Sequence, residues 1–286
     1  MPPHTWCDSR RAPASASVAP ILFRLNTVEL VLLLVAIVFG ATGVGGLLGR
    51  RHRQHSDMRE PFAVLQGALL GVVGLILAFG LSLAVGRYQD RRAAVVDEAN
   101  AIGTTYLRAQ MLAEPVRGRS LALLVQYTDG SIRLGTAIPG SVKAKSIIAA
   151  ENVLQRRLWA LAGQAVAASP VNTAPRLYVE TLNEMIDSQG VRVAGLNNRV
   201  PTEVLLLQIV GAGAALALLA FYLSVLGRGL LTVLIAAGLV TMLLYVSFDL
   251  DRPSRGLIQV PNAPLVSLRA SMNVPPAADA APDQPR

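Results

Sequence analysis

Four apolar runs of about 20 residues each, 27–49, 63–86, 204–226 and 229–248, constrain this chain more than any other feature. At a rise of about 1.5 Å per residue, each is long enough to cross a hydrocarbon layer about 30 Å thick. The chain is 52% hydrophobic and only 15% charged over 286 residues, too apolar for a soluble domain of that size. The excess sits in blocks, which points to lipid rather than to an oversized core. The pattern predicts an all-α polytopic membrane protein: four transmembrane helices in two hairpins, with a central helical segment on the cytoplasmic side. The expected layout is an N-terminal tail over 1–26, hairpin 1 over 27–86, the central segment over 87–203, hairpin 2 over 204–248 and a C-terminal tail over 249–286. From about residue 274 the tail is mostly Pro, Ala and Asp, with too little apolar bulk to order itself.

The net charge of +8 comes almost wholly from Arg, since Lys occurs only at Lys143 and Lys145. Many of the arginines flank the apolar runs, where they anchor and orient spans; the expected partner is therefore membrane lipid and not nucleic acid. Arg10, Arg11, Arg24, Arg87, Arg91, Arg92, Arg192, Arg199, Arg252 and Arg255 lie on the side of the termini and the central segment. Arg50, Arg51, Arg53, Arg59 and Arg228 lie on the other. That asymmetry favours cytoplasmic termini in a cell inner membrane, although the density in the first short loop argues the other way. The start of the chain, with Arg10, Arg11 and a later Ala-Ser-Ala-Ser, resembles an export signal, but the following apolar run is too long and is expected to stay as an anchor. Cys7 is the sole cysteine, and His4, His52 and His55 fall outside the apolar runs, so no metal site or cofactor is expected.

Along the chain, the short Arg-rich segment 50–62 joins the first two spans, with Pro61 placed to open the second. Gly227-Arg228-Gly229 makes a tight turn between the last two. No proline interrupts 63–112, which reads as one helix leaving the bilayer; at its polar end Tyr88, Val95, Ala99, Ile102 and Tyr106 form an apolar stripe. Asp90, Asp97 and Glu98 fall off that stripe, on a charged outer face or paired with another helix. Further helices are expected over 116–128, stopping at Asp129-Gly130, over 142–168, and from Ala174 towards Arg199 with Thr173 as cap; 132–141 reads as a loop.

No phosphate loop, nucleophile elbow or metal-ligand spacing is present, so the chain is not expected to be an enzyme. Charges inside spans mark ion pathways. Here there are only Glu29 and Glu203 near interfaces, with Gln66 and Gln208 as the chief other polar groups. A carboxylate-relay transporter is disfavoured; conduction past an apolar pore stays open. Gly67 and Gly71 make a small-xxx-small step suited to close helix packing.

Residues 87–108, Arg-Tyr-Gln-Asp-Arg-Arg-Ala-Ala-Val-Val-Asp-Glu-Ala-Asn-Ala-Ile-Gly-Thr-Thr-Tyr-Leu-Arg, resemble the signature of bacterial bestrophin-like domain proteins, the DUF4239 family. So does the run Phe248-Asp249-Leu250-Asp251-Arg252-Pro253 with Gly256 and then 264–271, which contains Arg269. The motif residues are thus Tyr88, Asp90, Glu98, Asn100, Gly103, Tyr106, Arg108, Asp249, Asp251, Arg252, Pro253, Gly256 and Arg269. In true bestrophins, pentameric anion channels, the second membrane helix leads into Tyr-Asp-Arg-Trp-Trp-Glu; Tyr88, Asp90 and Arg91 correspond, followed here by Arg92 and Ala93. The resemblance implies a homo-oligomer whose second spans surround a pore for small anions. Gln66 and Ser82 would lie along that pore, and Arg87, Arg91 and Arg92 would either ring its mouth or simply anchor the span. Some bestrophins bind calcium after the fourth span; Asp249 and Asp251 stand there, but two carboxylates beside Arg252 supply few of the about six to eight oxygens that ion takes. The competing expectation is a non-conducting scaffold or signalling protein that docks a partner on the stripe Val95, Ala99, Ile102 and Tyr106.

Overall fold

The computed structural model describes residues 26–51, 59–227 and 229–275. The N-terminal tail with His4 and Cys7, the loop with His52, Arg53 and His55, Arg228, and the Pro/Ala-rich end lie outside the described residues. Eight helices occur among those described: α1 Thr27–Arg51, α2 Arg59–Ala109, α3 Val116–Thr136, α4 Val142–Ala168, α5 Thr173–Asn197, α6 Thr202–Val225, α7 Leu230–Leu250 and α8 Ala263–Ser271. The protein is an all-α membrane protein with four helices long and apolar enough to span a bilayer.

One layer contains α1, the first half of α2, α6 and α7, packed around Leu30, Leu34, Leu77, Leu205, Leu216, Leu244 and Phe248. Only 28%, 22%, 50% and 33% of the four apolar windows is buried within the chain, so their remaining apolar surface needs lipid or another subunit. Asn26 and Glu29 close the start of α1 as a capping box: Glu29 N donates to Asn26 Oδ1 and Asn26 N to Glu29 Oε2, both at 2.8 Å. Gly45 and Gly49 then let α1 lie directly on α6, since a Cβ at either would overlap the carbonyl oxygen of Ala217 or Phe221. Gly229, at φ +94°, makes the sharp return into α7 that an L side chain disfavours.

The second layer is the polar half of α2 with α3, α4, α5 and α8, closed around Ile102, Leu124, Tyr127, Leu158, Tyr178, Leu182, Met185 and Leu265. α2, 51 residues and about 75 Å long, runs through both layers. The structure corrects several expectations. α3 does not stop at Asp129-Gly130 but continues to Thr136. Its turn residues are recruited by packing: Asp129 accepts from Arg269 at 2.8 Å, and Gly130 lies against Glu151. The predicted loop over 132–141 therefore shrinks to 137–141. Asn172, not Thr173, caps α5, its Oδ1 accepting from Ala174 N at 3.0 Å. The start of the C-terminal tail, whose structure the sequence left open as far as about residue 274, folds back and inserts α8 into the second core, with Leu265 fully buried.

Candidate functional site

The polar half of α2 is held by residues near both family signatures. Arg91 is buried at the junction of the layers, where its guanidinium meets the negative ends of two helices. It donates to Gly195 O (3.1 Å) and Asn198 O (2.7 Å) at the end of α5, and to Leu250 O (3.1 Å) and Asp251 Oδ1 (3.1 Å) at the end of α7. The other oxygen of Asp251 accepts from Val200 N at 3.1 Å. Arg91, expected at a pore mouth, is thus a staple inside the protomer. Arg87, half-buried beside it, donates to Asn198 Oδ1.

Asp249 is also buried, and its oxygens are met by hydrogen-bond donors: Leu257 N at 2.9 Å, Ile258 N at 2.8 Å and Tyr245 OH at 3.2 Å. Gly256, at φ +111°, lets the turn close on that carboxylate, because a Cβ there would overlap it. Pro253 and Arg252 are buried in the same turn. Donors already facing Asp249 and Asp251 leave these carboxylates poorly placed for calcium, and no cluster of three metal-ligating residues occurs among the described residues. Other residues of the two signatures are structural too: Arg269 bonds Asp129, Leu268 packs on Gly103, and Tyr106 OH donates to Met272 O at 3.4 Å. Arg108 ties α2 to α5 through Leu177 O at 2.8 Å and Glu180 at 3.2 Å. Tyr88 is half-buried against the membrane-layer core, whereas Asp90 is exposed.

Inside the body lies a polar network that sequence reasoning largely missed. Glu98, expected off the stripe and on a charged outer face or against another helix, is fully buried and paired with Arg192 of α5. Ser131 Oγ lies 3.1 Å from Glu98 and 3.2 Å from Glu151, so its single proton serves one carboxylate at a time. Gln189 donates to Glu151 at 2.5 Å, and Gln155 donates to Gln189 at 2.7 Å and to Tyr127 OH at 3.3 Å. Arg192 also donates to Ser131 O at 2.9 Å. Burial, with Glu98 nearby, pushes the Glu151 carboxyl up to about 7 against the opposing pull of Gln189, Arg192 and Ser131. Burial likewise raises the Tyr127 phenol, so it stays neutral. The available signal was positional: Glu151 and Gln155 fall on the same buried face of α4 as Ile147 and Leu158.

The stripe Val95, Ala99, Ile102 and Tyr106 packs into this body's own core and is not a free docking face. What α2 leaves uncovered is a different line. Gly67, Gly71, Gly74, Ala78, Ser82, Val85, Gln89, Arg92, Val96 and Asn100 are all exposed and share one side of the helix at spacings of three or four. A Cβ at Gly67, Gly71 or Gly74 would meet nothing within 4 Å, so the expected small-residue step does not pack within this chain. Of the pore and mouth candidates, Ser82 and Arg92 lie on this line; Gln66, Arg87 and Arg91 turn to the inner side. Gln66 Oε1 is buried there without a hydrogen-bond partner.

No curated protein matches the sequence. Solved structures do: a bacterial Bestrophin homolog from Klebsiella pneumoniae is 16% identical, with a TM-score of 0.63 over 85% of this chain and 95% of that chain. Two variants of the homolog give TM-scores of 0.63 at 14% and 15% identity, covering 82% and 90% of this chain and 97% of theirs. At these identities the likeness is one of fold, but a Bestrophin-like domain is matched across residues 32–265, most of the sequence, and the chain therefore belongs to the Bestrophin-like family.

Proposed function

We propose that several copies of this chain assemble in the bacterial inner membrane into an anion channel, with the uncovered line of α2 facing the shared axis. The carrying observation is that line itself: it is unoccupied within the protomer, small in the membrane and polar beyond it. Gly67, Gly71, Gly74 and Ala78 allow close approach of helices around an axis, while Ser82, Gln89, Arg92 and Asn100 supply the polar lining where the helix leaves the bilayer. Arg92, repeated around the axis, raises the local anion concentration at the mouth; Arg87 and Arg91 support it from behind. The helical body and both termini are cytoplasmic in this reading, in keeping with the excess of flanking arginine on that side. No catalytic role is assigned. The scaffold alternative loses its strongest feature, because the apolar stripe meant for a partner is spent on the core.

Reconstitution into liposomes with a chloride-sensitive readout tests the proposal. Chloride flux is expected, reduced severalfold in Arg92→Glu, whose exposed side chain carries no fold-holding contact in the structure. Absence of flux across pH and calcium concentration removes the channel reading.

A further inference from the structure

A cleft of about 430 Å³ lies between α1, α6 and α7, at the end of the bundle remote from the helical body. Its walls are mainly apolar, with Phe39, Leu47, Leu223 and Leu234 around a floor opened by Gly43 and Gly46. Among the described residues the cation that borders it is Arg50, which lies in the last turn of α1 at the level where the spans end. Among the described residues no carboxylate pairs with Arg50. The short connections at this end carry Arg50, Arg51, Arg53, Arg59 and Arg228 against only Asp57 and Glu60.

We infer that this cleft is a binding site for an anionic phospholipid of the bilayer, its acyl chain held between α1, α6 and α7 and its phosphate set against Arg50. An aqueous ligand fits poorly, because the cleft opens among surfaces that face hydrocarbon, with Leu47, Leu48, Leu231 and Leu234 exposed around it. Two hydroxyls line the cleft, Thr42 on α1, which donates to Val38 O at 2.7 Å, and Ser224 on α6; the charge at the mouth is what selects an anionic headgroup. The backbone N–H groups of the first turn of α7, capped by no side chain, add to the same positive field. The occupant is therefore long, apolar and negatively charged at one end. Such a lipid fills the space that Gly43 and Gly46 leave and fastens α1 to the α6–α7 hairpin.

The site is separable from conduction, since lipid retention is read without any flux. Purified full-length protein in nanodiscs of phosphatidylcholine with a minor share of phosphatidylglycerol is released into detergent and weighed by native mass spectrometry. Retention of about one phosphatidylglycerol per chain is expected, with a preference over phosphatidylcholine of about fivefold, the factor for one headgroup-level arginine. Arg50→Gln should bring that preference to about one. Gly43→Leu should abolish retention without unfolding, because a Cβ at Gly43 meets nothing within 4 Å and leucine is the better helix former. Preference persisting in both variants overturns the site and assigns the lipid to the general bilayer boundary. Displacement of phosphatidylglycerol by inorganic phosphate alone shows a simple anion site and overturns the lipid assignment. A change of oligomer mass in Gly43→Leu makes the cleft a contact between copies and overturns it as well.

Discussion

Buried charge inside the helical body makes this protein sensitive to pH at single residues. Two carboxylates, Glu98 and Glu151, face one guanidinium, Arg192, and one hydroxyl, Ser131, so one negative charge is in excess whenever both ionise. Glu151 carries the mismatch, its carboxyl raised from 4.5 to about 7. A folded-state value above the unfolded one means that the folded protein holds the extra proton between those limits. The stabilisation is full below about pH 4.5 and is lost as pH rises through about 7, in all about 3 kcal/mol. Melting in detergent should fall from pH 5 to pH 8 in the wild type, and Glu151→Gln, neutral throughout, should flatten that slope; an unchanged slope assigns the pH dependence elsewhere. Arg91 behaves differently because its partners are carbonyls and a single carboxylate. Arg91→Met strands Asp251 without its cation in a buried place and should cost about 3–5 kcal/mol, part of it recovered by adding Asp251→Asn. A loss under about 1 kcal/mol in the single variant means that Val200 N alone suffices for Asp251.

Helix by helix, contact rather than composition decides which glycines matter. Gly45 and Gly49 lie on the backbone of α6, and Gly45→Leu or Gly49→Leu must push the two spans apart, costing about 1–3 kcal/mol or more. Gly40, on the same helix, meets nothing within 4 Å, and Gly40→Ala should be neutral or stabilising by up to about 1 kcal/mol. Equal melting shifts for all three would contradict the packing of α1 on α6. These differences were not legible beforehand, since the sequence shows five glycines in α1 without saying which face meets a neighbour. The spans themselves were legible because lipid imposes a length and a composition that tertiary contacts rarely override. α4 could likewise be read at its full length, because Ser141 caps it locally, its Oγ accepting from Ala144 N at 3.1 Å. α3 could not. Asp129-Gly130 is a sound local stop, overruled by Arg269 and Glu151, which lie 140 and 21 residues further along.

At the scale of the whole molecule, a single helix connects a lipid-facing bundle to a polar body, and the two layers make different demands on sequence. The bundle announces itself through hydropathy. The body hides its organising residues, because Glu98, Ser131, Glu151, Gln189 and Arg192 come from four helices and meet only after folding. The family signatures were readable as motifs, yet much of what they encode is the fastening of α2, α7 and α8 rather than a lining. That separation sharpens the question of what α2 shows to its neighbours. Gly71 sits mid-span on the uncovered line, and a Cβ there meets nothing within 4 Å in its own protomer. If the lines of several copies converge, Gly71→Leu should lower the oligomer mass in detergent, or abolish chloride flux at unchanged mass, while the melting point holds, since only contacts between copies change. A wild-type protein that weighs as a monomer, or a variant that keeps both mass and flux, places the line against lipid and leaves a single α2 with no axis to surround.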